Sequence, residues 1–164
     1  MSKKIMRGIS ALVASGGLAI LLPGPAWAAS GPQPASGTFL ETSATVDNVQ
    51  VADGNTIVVV TVSGIITGTF GGTFTETDRL VIHPDGSVTL AGKGMVSGTL
   101  GTCGTGSALY VTEAQGTASA RSGFIQSVDR AASTFTPTMI STVDSFTVNA
   151  VTGEGTYTGT YHCT

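Results

Sequence analysis

Nine of the 23 glycines in this chain are followed directly by threonine. That recurrence limits the fold more than any other feature. Thr and Val favour the pleated backbone, while repeated Gly opposes long helices. No run after residue 30 carries an amphipathic helical stripe, and the best helical candidate, Thr112 to Arg121, contains Gly116 and almost no apolar periodicity. The spacing of the Gly-Thr pairs is irregular, so they read as bends in coiled strands and not as a solenoid repeat.

Strands and turns can be placed from the alternation. Thr38 to Val46 is the first expected strand. Asp53-Gly54-Asn55 is a turn signal leading to a second, Thr56 to Phe70, with Gly64 and Gly68 as expected bend or bulge points. Thr73 to His83 is the third, and Pro84-Asp85-Gly86 forms a tight hairpin into Ser87 to Val96. Gly98 to Gly106 is a glycine-dense turn region. Ala108 to Glu113, Ala118 to Val128, Ala132 to Val148 and Gly155 to Cys163 complete a set of about eight antiparallel strands. Eight long strands with short connections imply an all-β domain, a single closed barrel, with a two-sheet sandwich as the alternative.

The N-terminal residues read differently. Lys3, Lys4 and Arg7 precede an uncharged, mostly apolar run from Gly8 to Leu22, then Pro23-Gly24-Pro25, then Ala26-Trp27-Ala28 ahead of Ala29. A positive start, a short apolar run and a small-x-small site are the parts of a cleaved secretion signal. A membrane-spanning helix needs about 20 apolar residues, and this run is shorter and ends in prolines. Residues 1–29 are therefore expected to be a signal peptide, 30–36 a flexible Gly/Pro/Ser leader, and 37–164 the barrel of an exported bacterial protein. No cysteine follows the cleavage region, which argues against a lipoprotein anchor.

Beyond the signal, ten acidic residues face four fixed cations, Arg79, Lys93, Arg121 and Arg130, for a net charge of −6. Such a domain lacks the basic stripe that nucleic-acid binding needs, and an anionic membrane surface would repel it. The charge serves solubility on a surface otherwise made of Thr, Ser and Gly. Cys103 and Cys163 are an even pair in an exported protein, which points to one disulfide. Without a Cys-x-x-Cys spacing, a redox role is not implied.

Gly71-Gly72-Thr73-Phe74 through Pro84-Asp85-Gly86-Ser87, Gly98-Thr99-Leu100 and Gly101 to Gly116 resemble a family of small bacterial proteins of uncharacterised function that look like the allene oxide cyclase barrel. The opening Ser36-Gly37-Thr38-Phe39 and the closing Gly153-Glu154-Gly155-Thr156-Tyr157 fit the same pattern. The resemblance implies an allene-oxide-cyclase-like or calycin-like barrel with an interior able to hold a ligand. Relatives commonly carry a Gly-x-Glu-Arg-Phe-like strand, whereas this chain has Gly92-Lys93-Gly94-Met95-Val96. Ala114 also stands where a His is often found.

Chemistry-bearing groups are few. Phe74, Glu76, Asp78, Leu80 and Ile82 share one strand parity. If that face points inward, two carboxyls lie inside the barrel, where burial raises their pKa and suits them to ligand fixation or proton abstraction. If a Gly bend shifts the register, both lie in water. Tyr110, Tyr157 and Tyr161 could line a pocket and hydrogen-bond a ligand, with Phe39, Phe70, Phe74, Phe124, Phe135 and Phe146 as apolar lining, or all could be ordinary core. Gly64, Gly68, Gly92 and Gly94 would leave room beside them. His83 and His162 have no partners at ligand spacing, so no metal and no cofactor is expected. No Gly-x-Ser-x-Gly elbow is present.

Three functions fit. A secreted barrel could bind a small apolar ligand through Phe74, Glu76, Asp78, Tyr110 and Tyr157. A cyclase-like or isomerase-like enzyme would add a fixed polar group, with Glu76 or Glu113 as catalytic candidates. A structural or surface-interaction protein would have a solid core and a working Thr-rich exterior. The binding barrel is the reading carried forward, and the oligomeric state is left open by the sequence.

Overall fold

A computed structural model of the chain describes residues 31–127, 133–135 and 139–163. The expected signal peptide, and residues 128–132 and 136–138 of the expected strand and loop regions, lie outside the described residues. The architecture is a closed eight-stranded antiparallel barrel. Its strands are β1 (Gln33–Ala52), β2 (Asn55–Gly68), β3 (Phe70–Ile82), β4 (Ser87–Leu100), β5 (Thr105–Thr117), β6 (Ala120–Ser127), β7 (Met139–Asn149) and β8 (Glu154–Cys163), with one 3-10 turn, Gly101–Cys103, between β4 and β5. Each strand pairs with the next, and β1 closes the cylinder by pairing with β8 from Gln33 opposite Tyr161 to Leu40 opposite Glu154. Closure is the all-β solution that leaves no open sheet edge within the cylinder. Among the described residues no helix is long and apolar enough to cross a membrane.

Two expectations need correction. The stretch expected as a flexible leader is partly sheet: Gln33, Pro34, Ala35 and Ser36 lie in β1 against β8. The last strand supplies the ladder, and Ala35 is buried. Pairing with β2 starts only at Gly37 opposite Gly68, so Pro34 sits where β1 has one sheet neighbour, a place that tolerates a missing N–H. The bulges fall in β1, between Glu41 and Ser43 and between Val46 and Asn48, the first opposite Gly64 and not in β2 itself, while Gly68, at φ 105°, is a bend as expected. Gly68 ends its strand, and Gly64 is covered by the ring of Phe74.

The turns follow their residues. Asp53 and Gly54 both take positive φ, 53° and 79°, as a two-residue hairpin with the twist of its strands requires. At the β3–β4 turn the His83 N–H donates to the Ser87 carbonyl at 2.9 Å, and the Ser87 N–H and hydroxyl both donate to Asp85. These turns lie at the same end of the barrel as the β5–β6 and β7–β8 turns. The opposite end holds Cys103, bonded to Cys163 at the tip of β8, together with the buried Leu100 and Phe135.

The β1–β2 hairpin outruns its neighbours. From Thr42 to Ala52 every residue of β1 is exposed on both faces. Its register with β2 puts Ala44, Val46, Val49 and Val51 on one face with Val58, Val60 and Val62, while Ser43, Thr45, Asn48 and Gln50 take the other. The apolar face is the one that, further along β2, lines the barrel with Val62 and Ile66.

Candidate acidic cavity in the barrel

Strand alternation builds the interior. On β3, Phe74, Glu76 and Asp78 point inward, while Thr73, Thr75, Thr77 and Arg79 are exposed. The third strand therefore keeps the parity that puts both carboxyls inside, and the alternative with both in water is overturned. On β5 the inward set is Ala108, Tyr110, Thr112 and Ala114. On β7 it includes Thr142, Asp144, Phe146 and Val148. Beside β3, β4 offers Gly92 and Gly94.

Those two glycines are what the acidic cluster needs. A Cβ on Gly92 would overlap Asp78 Oδ1, Glu76 Oε1 and Thr112 Oγ1, and one on Gly94 would meet the Tyr110 ring and hydroxyl. The room expected beside the glycines is thus filled by neighbouring side chains. We expect Gly92→Ala to cost about 1–3 kcal/mol by overpacking, read as a lower midpoint in urea denaturation. A variant as stable as its parent would show that the carboxyls do not occupy that space.

Glu76 sits at the centre. Its Oε2 accepts from the Tyr110 hydroxyl at 3.1 Å, and its Oε1 accepts from the Thr112 hydroxyl. Asp78 lies one step along the same face at 7% exposure, and its Oδ1 has no protein partner. Burial first, then the charge of Glu76 and a hydrogen bond to it, push the Asp78 pKa up to about 9, with Glu41 adding to the rise and Arg121 opposing it. The Tyr110 hydroxyl is pushed up by burial and by the same carboxyls. Across the barrel Asp144 is 2% exposed with an equally orphaned Oδ1, and burial alone raises it to about 7. Glu41, from β1, is also raised by burial, with Arg121 of β6 pulling the other way.

Around these groups lies a cavity of about 90 Å³. Its wall includes Phe39, Ile66, Phe70, Phe74, Leu90, Val96, Ile125, Phe146 and Tyr157, and its polar lining is Glu41, Glu76, Asp78, Tyr110, Thr112, Arg121, Thr142 and Asp144. The rings are interlocked. Phe39 stands edge-on to Phe74 at 6.1 Å and to Phe146 at 6.2 Å, and Phe70 lies 5.3 Å from Tyr157. The Tyr157 hydroxyl is fixed twice over, accepting from the Phe70 N–H at 2.8 Å and donating to the Thr67 carbonyl at 3.2 Å.

The structure brings together Phe74, Glu76, Asp78, Tyr110 and Tyr157, the five positions expected to line a ligand site. It does not bring Glu113 to them. Glu113 is exposed, on the outward face of β5 opposite Ala91 and Phe124. Phe124 is likewise outside, since strand parity gives the interior to Arg121, Gly123 and Ile125. Phe135 packs at the disulfide end, and Tyr161 accepts the Thr102 N–H there at 3.3 Å. His83 pairs through Nδ1 with Asn55 Oδ1 at 2.9 Å. Among the described residues no group of three or more His, Cys, Asp or Glu is placed to hold a metal ion. Glu41, Thr112, Arg121, Thr142 and Asp144 are lining groups that sequence reasoning missed.

Fold and site together define a class: a closed antiparallel barrel whose small interior is walled by aromatic rings and carries buried carboxyls. No protein-family model and no curated protein matches the chain.

Proposed function

We propose that this is an exported barrel protein that binds one compact small molecule in its interior. The observation that carries the reading is a cavity lined by packed aromatic rings in which two buried carboxyls each keep an oxygen without a protein partner. In a solid structural core each such group would be a cost of about 1–3 kcal/mol with nothing to offset it. The volume corresponds to about half a dozen water-sized spheres, so the occupant is a molecule of that size and not a long-chain lipid. Export is supported by the signal-like N-terminal residues and by the Cys103–Cys163 bond, which belongs to an oxidising compartment. The resemblance to the allene oxide cyclase barrel supports the same use of the interior. An isomerase or cyclase is the second reading, favoured by the fixed Glu76 carboxyl facing an apolar wall.

Titration of 1-butanol into isotope-labelled protein tests the binding reading. Saturable amide shifts are expected along the inward faces, at Phe74, Glu76, Ala108, Tyr110 and Phe146. They are expected to vanish in Val96→Phe, which fills the cavity with a ring. Saturation unchanged in Val96→Phe would overturn it, as would linear, unsaturable drifts in the parent with both 1-butanol and n-butylammonium.

A further inference from the structure

We infer that the occupant of the cavity is a small organic cation, a compact primary ammonium held by Asp78 and Asp144 against the aromatic wall. This rests on the small-molecule reading above and assigns the ligand its chemical class.

The interior is unbalanced in its hydrogen-bonding groups. Four side chains that line it, Glu41, Glu76, Asp78 and Asp144, bring carboxyl oxygens, and one, Arg121, brings a guanidinium. Arg121 acts on Glu41 from β6. The hydroxyls of Tyr110 and Thr112 are already spent on Glu76. What remains unpartnered is two acceptors and one donor: Asp78 Oδ1 and Asp144 Oδ1, on residues 7% and 2% exposed, and Nε of Arg121, whose charge already acts on Glu41, so the acceptors are in excess. An incoming anion would meet the carboxyls, and a wholly apolar molecule would leave both orphaned oxygens as they are. A primary ammonium supplies three N–H donors on a point charge, and a charge-assisted bond to a carboxylate is about twice as strong as a neutral one.

The apolar wall points to the same class. Phe39, Phe70, Phe74, Phe146, Tyr110 and Tyr157 all line the cavity. A cation is attracted to the face of such rings, and the attraction grows once the cation leaves water. Rings surrounding carboxyls are the means by which ammonium groups are recognised against both anions and neutral isosteres.

Binding of a cation here is tied to the proton. Asp78 faces Glu41 of β1, Glu76 of its own strand, Tyr110 and Thr112 of β5 and Arg121 of β6, while Asp144 of β7 lies with Tyr157 of β8. Near neutrality Asp78 holds a proton that an ammonium must displace, so uptake releases a proton and affinity rises with pH.

Matched titrations of n-butylammonium chloride, 1-butanol and sodium butyrate at constant ionic strength, at pH 6 and pH 8, give the test. At pH 8 the ammonium is expected to bind at least about tenfold tighter than the alcohol, and the butyrate not at all. The ammonium should weaken at pH 6, and calorimetry in buffers of differing ionisation enthalpy should show proton release. Asp78→Asn and Asp144→Asn should each weaken the ammonium while leaving the alcohol nearly unchanged. If the alcohol binds as tightly as the ammonium, the cation assignment falls and the small-molecule reading stands. If both variants keep the parent's affinity for the ammonium, the assignment also falls. If neither compound saturates, both readings fall together. The comparison within the parent protein decides the matter even if a variant fails to fold.

Discussion

Between pH 5 and pH 8 the protein is expected to lose stability as the pH rises, and Asp78→Asn is expected to remove most of the loss. The ordinary Asp value is 3.8, whereas burial and the neighbouring Glu76 carboxyl hold Asp78 at about 9 in the folded barrel. Between those limits the unfolded chain has given up a proton that the native state keeps. The unfolded state then binds fewer protons, so stability falls with pH, by about 1.4 kcal/mol per pH unit for each retained proton. Below pH 3.8 both states are protonated and the contribution of the neutral carboxyl is intact. Asp144 works in the same direction from 3.8 up to about 7. Exposed Asp85 is shifted down by its hydrogen bonds to Ser87 and acts the other way, losing its contribution only in acid. Equilibrium urea unfolding at several pH values reads the slope. Asn cannot ionise but can still donate to Glu76, so Asp78→Asn should be more stable than the parent at pH 8, less so at pH 5, and nearly equal to it only below about pH 3.8. A flat or rising profile in the parent would mean that Asp78 is ionised inside the barrel, and with it the account of the cavity's polar side would go.

The β3 carboxyls show how far the sequence can be read. Alternation alone puts Phe74, Glu76 and Asp78 on one face, but it leaves open whether a Gly bend resets the register, since a one-residue slip turns every side chain around. The structure keeps β3 continuous from Phe70 to Ile82 against both neighbours. The same parity reading was available for Asp144, which alternates with Phe146 and Val148, and for Glu41, two residues past Phe39. Their carboxyls went unnoticed because nothing local marks a charge as buried. Arg121 was harder still, because its strand carries Phe124 outward and Gly123 inward, the reverse of what hydrophobicity implies. Glu113 failed for a related reason: Ala114 beside it is the inward residue, and small inward residues are poorly marked in a strand rich in Thr and Gly. The glycines carried more information than their turn role implied. Gly92 and Gly94 face the interior at the level of Asp78 and Glu76, so their missing side chains are the space in which the carboxyl cluster stands. That use depends on which strands are neighbours, which no single segment of sequence states.

Removing the Cys103–Cys163 bond is expected to cost about 4 kcal/mol. The bridge spans 60 residues, and the chain-entropy model gives that figure for a closed loop of this length. Its position gives the loss a structural meaning. Cys103 is fully buried in the 3-10 turn after β4, and Cys163 ends β8, the strand that must find β1 to close the barrel. The loop it closes contains β5, β6, β7 and β8, so in the unfolded chain the bond holds the last strand near the middle of the sequence. Around it, Tyr161 accepts the Thr102 N–H, which anchors the tip of β8 to the same turn. Cys103→Ala/Cys163→Ala is the appropriate variant, because alanine leaves no new polar group in a buried site. Its urea midpoint should fall well below the parent's, and reduction of the parent under denaturing conditions followed by refolding in reductant should give the same shift. The contrast with the pH effect is a further check. A loss that comes from the unfolded chain's freedom should be similar at pH 5 and pH 8, because the bonded cysteines do not titrate. If the double variant is as stable as the parent, the ladders of β8 with β7 and β1 alone hold the strand, and the bridge contributes nothing to folding. A loss that appears at only one pH would instead tie the bridge to the carboxyls of the cavity.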